Sequence, residues 1–417
     1  MSSTKRRRVG TRDDGTAPSA ESPLPFLPFD LVLEIFARSD AATLFRCAAT
    51  SKPVRHAILD TDFRRRLALL RAEAEAGDRR RSFDPALFLG LSYMFQYRWE
   101  WGRHHAIAQE ERHGRRGCLS SFDADKLLSS YEPMASRGCL VVLKRHGTIS
   151  AEVRVVNSLT GQVTRVWPPL WVAAMYPRTL LAVGDGGSSF QLLVAGTGLR
   201  MQVFSSENGK GEWGDVVEPR LPPNFFRTVP NHCSPALVLR GTVVHWLCRD
   251  KGIIALDVGA ARATAIELPP LCFGQVKRVK GADCGILVPS VDGRLSLLVA
   301  EFTVISMWTL SASASELLAG TSSAATRWSR QVVIQSQAIG RGDFIGRTVR
   351  FVRFGERSGT VTLHIEQVGL VRFNLRSREA LVVSDKCTEI GTCSFSRLQL
   401  CLHETDLPTL MKNMKPF

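Results

Sequence analysis

Residues 24–66 read LPFLPFDLVLEIFARSDAATLFRCAATSKPVRHAILDTDFRRR, and this stretch decides the fold of the first part of the chain. Apolar residues from Leu31 onward recur at helical spacing after Pro28, whose missing N–H suits the first turn of a helix. Two further helical runs begin at Ala41 and Ser51. Since three helices in roughly forty residues bury too small a core, part of this apolar surface is expected to form an interface. The alternative is an ordinary helical subdomain that packs on the rest of the chain.

The order and spacing of these residues resemble the F-box. The matching positions are Leu27-Pro28-x-Asp30-Leu31-Val32-x-Glu34-Ile35-Phe36, Leu44-x-Arg46-Cys47-Ala48, Lys52-x-x-Arg55 and a segment from Ile58 to Phe63. The resemblance implies that the unit binds the Skp-type adaptor of cullin-RING ubiquitin ligases. Two positions depart from the family, because Ser39-Asp40 replaces Leu-Pro and Val54 replaces a Trp. A degenerate copy that does not bind the adaptor therefore stays open as an alternative.

The residues expected to contact the adaptor are the apolar ones at the matching positions. They are Leu27, Pro28, Leu31, Ile35, Phe36, Leu44, Val54 and Ile58.

Composition restricts the possible classes of protein. The chain has 417 residues, 44% hydrophobic and 22% charged, which is typical of a globular protein with a large core. No apolar run is long enough to span a bilayer, and the N-terminus does not resemble a secretory signal, so no membrane association is expected. The ten cysteines have no repeated spacing, which predicts reduced thiols in the nucleus or cytoplasm.

The formal net charge is +15, much of it before residue 117. Lys5, Arg6, Arg7 and Arg8 lie in a polar tail that is expected to be disordered, and they match a nuclear import signal. Nucleic acid is not the expected partner, because no nucleic-acid-binding motif accompanies the basic clusters.

From about Cys118 onward, short apolar runs alternate with turn residues, which predicts an all-β sandwich, barrel or propeller. A weak repeat places a turn at Asn157, Asp257 and Asn374, and Pro-Pro pairs recur about fifty residues apart, the period of propeller blades. The pattern favours a β-propeller of about six blades.

The same region resembles the F-box-associated β domain common in plant F-box proteins. The similar segments are Leu237 to Leu247, Ile254 to Asp257, Leu295 to Ala300 and Met307 to Leu310.

The sequence thus predicts a multidomain protein, in which a small all-α F-box unit precedes a large all-β domain. The expected divisions are a basic tail over 1–22, the F-box-like unit over 23–66, a helical or irregular linker over 67–117 and the propeller-like domain over 118–410.

No catalytic motif is found. Residues 209–214 fit G-x-G-x-x-G, but they lie between two strand-like runs, whereas dinucleotide binding needs a strand followed by a helix. His245-Trp246 alternates with apolar residues and is expected to be a buried strand. Neither a metal site nor a cofactor is predicted, and the chain is not expected to be an enzyme.

These observations predict the substrate-receptor subunit of a Skp–cullin–F-box ubiquitin ligase, whose β domain binds an unknown target protein. The alternative is a basic nuclear scaffold, or a nucleic-acid- or ligand-binding propeller protein with a degenerate F-box.

Overall fold

The structure of the protein is a computed structural model, which describes most of the chain. The described residues are 27–39, 43–44, 47–48, 51–67, 70, 87–96, 104–108, 130–145, 152–172, 178–184, 187–207, 211–221, 235–248, 252–270, 272, 285–301, 303–311, 327–339, 344, 347–384 and 397–405.

The first unit is helical, as the apolar spacing predicts. Helix α1 spans Phe29–Ala37 and helix α2 spans Lys52–Leu59, while residues 43–44, 47–48, 61–67 and 70 are also helical. Ser51 begins α2, because its Oγ accepts a hydrogen bond from the backbone N–H of Val54 at 3.3 Å.

These helical segments share one small core. Its fully buried residues are Ala37, Leu44, Ala48, Ile58, Phe63, Leu67 and Leu87.

The rest of the described chain is built from antiparallel strands. They are β1 (Phe88–Gln96), β2 (His104–Ala108), β3 (Tyr131–Arg137), β4 (Leu140–Arg145), β5 (Val153–Asn157), β6 (Val163–Val166), β7 (Arg178–Val183), β8 (Phe190–Ala195), β9 (Met201–Ser205), β10 (Glu212–Trp213), β11 (Leu237–Leu239), β12 (Val243–Cys248), β13 (Gly252–Asp257), β14 (Arg262–Ile266), β15 (Gly285–Pro289), β16 (Leu295–Ala300), β17 (Val304–Leu310), β18 (Trp328–Gln335), β19 (Val349–Phe354), β20 (Thr360–Ile365), β21 (Gly369–Asn374), β22 (Ala380–Ser384) and β23 (Arg397–Glu404).

The sheets form a β-propeller, which confirms the predicted fold. Five four-stranded blades contain β3–β6, β7–β10, β11–β14, β15–β18 and β19–β22, and a three-stranded sheet has the order β2-β1-β23. Strand β23 contacts both β19 of the fifth blade and β3 of the first blade, so the three-stranded sheet lies between those two blades and closes the ring. The estimate of about six blades is therefore approximate, since five complete blades are supplemented by this shorter sheet.

The segment 67–117 differs from the predicted linker, because it supplies β1 and β2. Strand β1 pairs with β2 on one side and with β23 on the other, where Leu91 lies opposite Leu402. A strand whose main partner lies at the far end of the chain cannot be recognised from local sequence alone.

Antiparallel pairing assigns each turn to one of two faces of the propeller. The connections between blades, such as β6–β7, and the turns between second and third strands, such as β8–β9, share one end of the blades, called the top face here. The first-to-second turns, such as β3–β4, lie on the opposite, bottom face. The chain enters β1 at the bottom face, where the N–H of Thr405 donates to the Leu87 carbonyl at 3.0 Å.

The end of the last strand is fixed by a buried carboxylate. Glu404 accepts hydrogen bonds from the backbone N–H and Oγ of Ser358, at 2.9 and 2.5 Å, in the β19–β20 turn. Burial raises the pKa of Glu404 in spite of these bonds. Its backbone N–H also donates to the Gly138 carbonyl at 3.2 Å, so one residue joins the closing sheet to both neighbouring blades.

The side chain of Arg353, on the inner strand β19, connects three sheets around the channel. The register of β3 shifts between Pro133 and Ala135, which marks a bulge at Met134, and the carbonyl of Met134 accepts a hydrogen bond from Arg353 Nη2 at 2.9 Å. Arg353 Nε also donates to the Leu400 carbonyl at 3.1 Å. This one side chain of the fifth blade therefore satisfies carbonyls in the first blade and in the closing sheet.

The predicted repeat corresponds to the turn between the third and fourth strands of alternate blades. The side-chain oxygens of Asn157, Asp257 and Asn374 accept hydrogen bonds from backbone N–H groups two or three residues ahead, at 2.9 to 3.2 Å. These are Asx turns, which explains why Asn or Asp recurs there.

We expect Arg353→Met to destabilise the propeller, because the apolar stem is kept while two buried carbonyls lose their donor. Each loss costs about 1–3 kcal/mol, so the free energy of unfolding should fall by roughly 2–6 kcal/mol in urea denaturation. Arg350→Met is the matched control, since Arg350 lies on the same strand without a hydrogen bond from its side chain to the described residues. Equal stability of the two variants would contradict the role given to Arg353.

Candidate functional site

The helical unit exposes a line of apolar side chains. Leu27, Leu31 and Ile35, spaced four residues apart, are 53%, 52% and 54% exposed. Side chains four residues apart lie above one another on a helix, so these residues form one continuous stripe along α1. Since large apolar residues rarely line up in water without a partner, the stripe marks a surface for protein binding.

The opposite side of α1 is attached to the helical unit itself. Ala37 is buried, and Leu33 and Phe36 pack against the shared core. Glu34 forms salt bridges with Arg38, at 2.8 Å, and with Arg66 in the segment 61–67. The core contacts fix the orientation of α1, while exposed ion pairs of this kind add at most about 1 kcal/mol.

The structure separates the eight predicted contact residues into three groups. Leu27, Pro28, Leu31 and Ile35 are exposed, and Phe36 and Val54 are half-buried.

Leu44 and Ile58 require a correction, because they are 1% and 0% exposed and belong to the core of the helical unit. Helical spacing finds apolar faces but does not tell an internal face from an external one. Phe29 is also exposed, at 45%, but it lies two residues before Leu31 and therefore on another side of α1; the motif leaves its position open, so it was not predicted. The predicted import signal, Lys5 to Arg8, lies outside the described residues.

The central channel of the propeller offers little room for a ligand. Its cavity of about 60 Å³ lies among Arg137, Arg178 and Arg353, which come from three different blades. Burial lowers the pKa of Arg178 to about 10, and the charge of Glu132 partly offsets this effect. Such a volume holds a few water molecules, so the described part of the channel functions as a packed polar core.

The top face of the first blade carries a cluster of three arginines around one carboxylate. Glu152, which is 7% exposed, accepts a hydrogen bond from Arg154 Nε at 3.0 Å, and the guanidinium groups of Arg145 and Arg165 each approach it to 3.9 Å. Arg154 also lies over the ring of Tyr131, at 4.3 Å from the centroid. Burial alone would raise the pKa of Glu152, but the hydrogen bond from Arg154 and the three positive charges lower it overall.

Buried histidines lie on strands of the propeller domain. His245 is fully buried beside Trp246 in β12, as the alternating sequence predicted, and burial lowers the pKa of His245 to about 4. His403 has the same shift for the same reason. Within the described ranges, no three His, Cys, Asp or Glu side chains are grouped to hold a metal, and no helix is long and apolar enough to cross a membrane.

Comparison with protein families agrees with the two-part architecture. The F-box family matches residues 24–66, and a second family, described as a domain of unknown function (DUF7595), matches residues 90–417. The protein is therefore an F-box protein with a large β-propeller domain. The chain belongs to the DUF7595 family, whose match covers most of its length. Both domain types are typically binding modules without catalytic activity.

Solved structures with a similar arrangement share little sequence with this chain. The β-propeller domain of Cps50 (Swd1) from Myceliophteria thermophila is 11% identical, with a TM-score of 0.31, over 60% of this chain and 72% of that one. A mutant of AofleA from Arthrobotrys oligospora is 10% identical, with a TM-score of 0.32, over 78% and 93%. A DUF4784 family protein from Bacteroides caccae is 10% identical, with a TM-score of 0.35, over 75% and 74%. No curated protein matches the chain.

We expect Leu44→Ala to lower the stability of the protein much more than Leu31→Ala, although both remove a leucine from the same small unit. Leu44→Ala leaves a cavity in the core and should cost about 2–5 kcal/mol, whereas Leu31→Ala should change stability by no more than about 0.5 kcal/mol. Thermal denaturation of the full chain, followed by helical circular dichroism, measures both. A large loss in Leu31→Ala would show that the stripe is part of the core.

The lowered pKa of Glu152 predicts a contribution to stability that depends on pH. Because the folded pKa lies below the ordinary value of 4.5, the stabilisation is complete above about pH 5.5 and is lost as the pH falls through the folded pKa. The stability difference between the wild type and Glu152→Gln should therefore shrink between pH 6 and about pH 3, as measured by urea denaturation. A difference that is constant with pH would contradict this assignment.

Proposed function

We propose that the protein is the substrate-receptor subunit of a Skp–cullin–F-box ubiquitin ligase. The F-box match supports the class of partner, and the exposed apolar side chains of Leu27, Phe29, Leu31 and Ile35 support this surface as the place of binding. The observation that carries the proposal is that these four side chains stay exposed, although the same helix buries Ala37 in the core.

The stripe has the properties of a partner-binding surface. Burying each large aliphatic side chain yields about 1.5–3 kcal/mol, and clustered apolar anchors dominate the energy of most protein interfaces. Val54, at the position where family members carry Trp, is half-buried in the helical core, so it adds little to this surface. The adaptor would then be bound mainly through α1.

The proposed mechanism needs no catalytic group in this chain. A receptor holds its target close to the ubiquitin carried by other subunits, which raises the effective concentration of the target lysine. The structure suits this task, because the chain reaches the propeller at its bottom face, where Leu87 belongs to the core of the helical unit. The top face is then available for the target.

Capture of a purified Skp-type adaptor by the full chain tests the proposal. The wild type should bind, and Leu31→Asp combined with Ile35→Asp should lower the affinity at least about a hundredfold, because two charges enter an apolar contact. Leu381→Asp is the matched control, since Leu381 is a similarly exposed aliphatic residue on β22 of the propeller.

The proposal fails if the wild type does not bind the adaptor, or if the double variant binds it as well as the control does. Co-capture of a cullin with the adaptor then tests the step from adaptor binding to ligase assembly.

A further inference from the structure

We propose that the top face of the first two blades binds an acidic segment of a target protein that also carries large apolar side chains. The inference deepens the proposed function, on which it rests for the identity of the partner as a target. Its evidence is an arginine cluster on the first blade and an adjoining tryptophan surface on the second.

The arginine cluster, formed by Arg145, Arg154 and Arg165, carries more charge than its structural contacts use. Arg154 and Arg165 lie directly opposite each other on β5 and β6, and like charges in that arrangement are destabilising. Glu152 neutralises one of three positive charges, so two remain in excess. An arrangement that folding alone disfavours is expected where a protein binds a ligand.

The two outer arginines are available to an anion. The side chain of Arg145 is 57% exposed and that of Arg165 is 68% exposed. Each guanidinium lies 3.9 Å from the Glu152 carboxylate, which is beyond hydrogen-bonding distance. Because guanidinium groups bind carboxylates through paired hydrogen bonds, an acidic side chain can replace water at these donors without displacing Arg154 from Glu152.

An apolar surface, formed by Trp167, Leu170 and Trp171, begins next to this cluster. Trp167 lies two residues after Arg165, just beyond the end of β6. Because side chains alternate along an extended chain, the side chains of Arg165 and Trp167 lie on the same side, about 7 Å apart. Trp167 is 63% exposed, Leu170 is fully exposed and Trp171 is half-buried. Exposed tryptophan and leucine beside arginine are the residues expected at the centre of a protein interface.

Hydrogen bonds hold this surface in place. The Trp213 indole Nε1 donates to the Trp167 carbonyl at 2.9 Å, and Trp171 Nε1 donates to Gln202 Oε1 at 3.1 Å. Gln202 Nε2 in turn donates to the Gly214 carbonyl at 2.7 Å. A surface that is ordered before binding loses less entropy when a partner binds.

A cleft on the same face provides room for a side chain of the partner. It has a volume of about 460 Å³ and lies between Trp171, Arg200, Glu218 and Leu221, on the β8–β9 turn and the connections that flank the second blade. The guanidinium of Arg200 lies 5.2 Å from the centre of the Trp171 ring. Clefts of roughly 300–1,000 Å³ bind small ligands, so one or two large side chains fit here.

The chemistry of this face favours a peptide over a nucleic acid. Leu170 and Leu221 offer aliphatic contacts, whereas a nucleic-acid strand needs stacking surfaces and a continuous basic groove. Glu218 in the cleft repels a phosphate backbone, while a peptide can place an uncharged side chain there. Among the described residues of this face, the arginine cluster carries an excess of positive charge, whereas Arg200 shares the cleft with Glu218, so the acidic residues of the partner are assigned to the arginine cluster.

Fluorescence anisotropy with labelled synthetic peptides of equal length tests the proposal on the full chain. The probes are a Leu-Trp-Leu core flanked by Asp and Glu, the same core flanked by Lys, and the acidic flanks around a Ser core. The first should bind at least about tenfold more tightly than the other two. A labelled thymidine oligonucleotide serves as the nucleic-acid probe.

Variants of this chain assign the binding to this face. Arg145→Ser with Arg165→Ser, and separately Trp167→Ser with Leu170→Ser, should each weaken binding of the acidic apolar peptide at least about tenfold. Glu152→Gln should strengthen it, because the competing internal carboxylate is removed. Arg330→Ser is the control, since Arg330 is also exposed and lies 6.0 Å from the ring centre of Trp308 on the fourth blade.

The proposal is overturned if the Lys-flanked peptide binds equally well, if the oligonucleotide displaces the acidic peptide from the arginine cluster, or if the two double variants bind like the control. Capture of the adaptor is measured on every variant. Retained adaptor capture without peptide binding rejects this surface alone, whereas peptide binding without adaptor capture rejects the ligase assignment alone.

Discussion

The pairing of β1 with β23 is the contact on which the propeller depends. It joins strands from opposite ends of the propeller, and the Arg353 and Glu404 hydrogen bonds extend it to the blades on both sides. A ring without this sheet would expose an apolar face of the first blade, because Cys401 packs there against Tyr131, Val141, Leu143 and Val156. Because the pairing spans about three hundred residues, it carries a high cost in loop-closure entropy, which many buried strands must offset.

The helical unit shows the opposite balance between local and distant contacts. Its residues lie close together in sequence, and its core contains few side chains, so little stability is available from within. Leaving Leu31 and Ile35 exposed lowers that stability further. These side chains could stabilise the unit if they were buried in its core, and their exposure is expected if another chain covers them.

Parts of the architecture could be predicted because their signals are local. Apolar runs such as those that became β13 and β16 coincide with central strands, whose residues are almost all buried. The outer strands β6 and β14 mix exposed and buried residues and have no continuous apolar run, so only the turn residue before each of them indicates a strand. The Asx turns at Asn157, Asp257 and Asn374 revealed three blades, whereas the third strands of the other two blades end at Ser205 and Leu310, which carry no such signal.

The sequence by itself determined that a helical F-box unit precedes an all-β domain, because helical spacing, strand length and turn residues act over a few neighbouring positions. Only the tertiary structure decided that Leu44 and Ile58 face inward while Leu31 and Ile35 face outward. It also decided that residues 88–96 close the ring, and that Arg200 lies over the ring of Trp171. The physical reason is that burial, ring closure and clustering depend on which distant segments meet, and no local pattern contains that information.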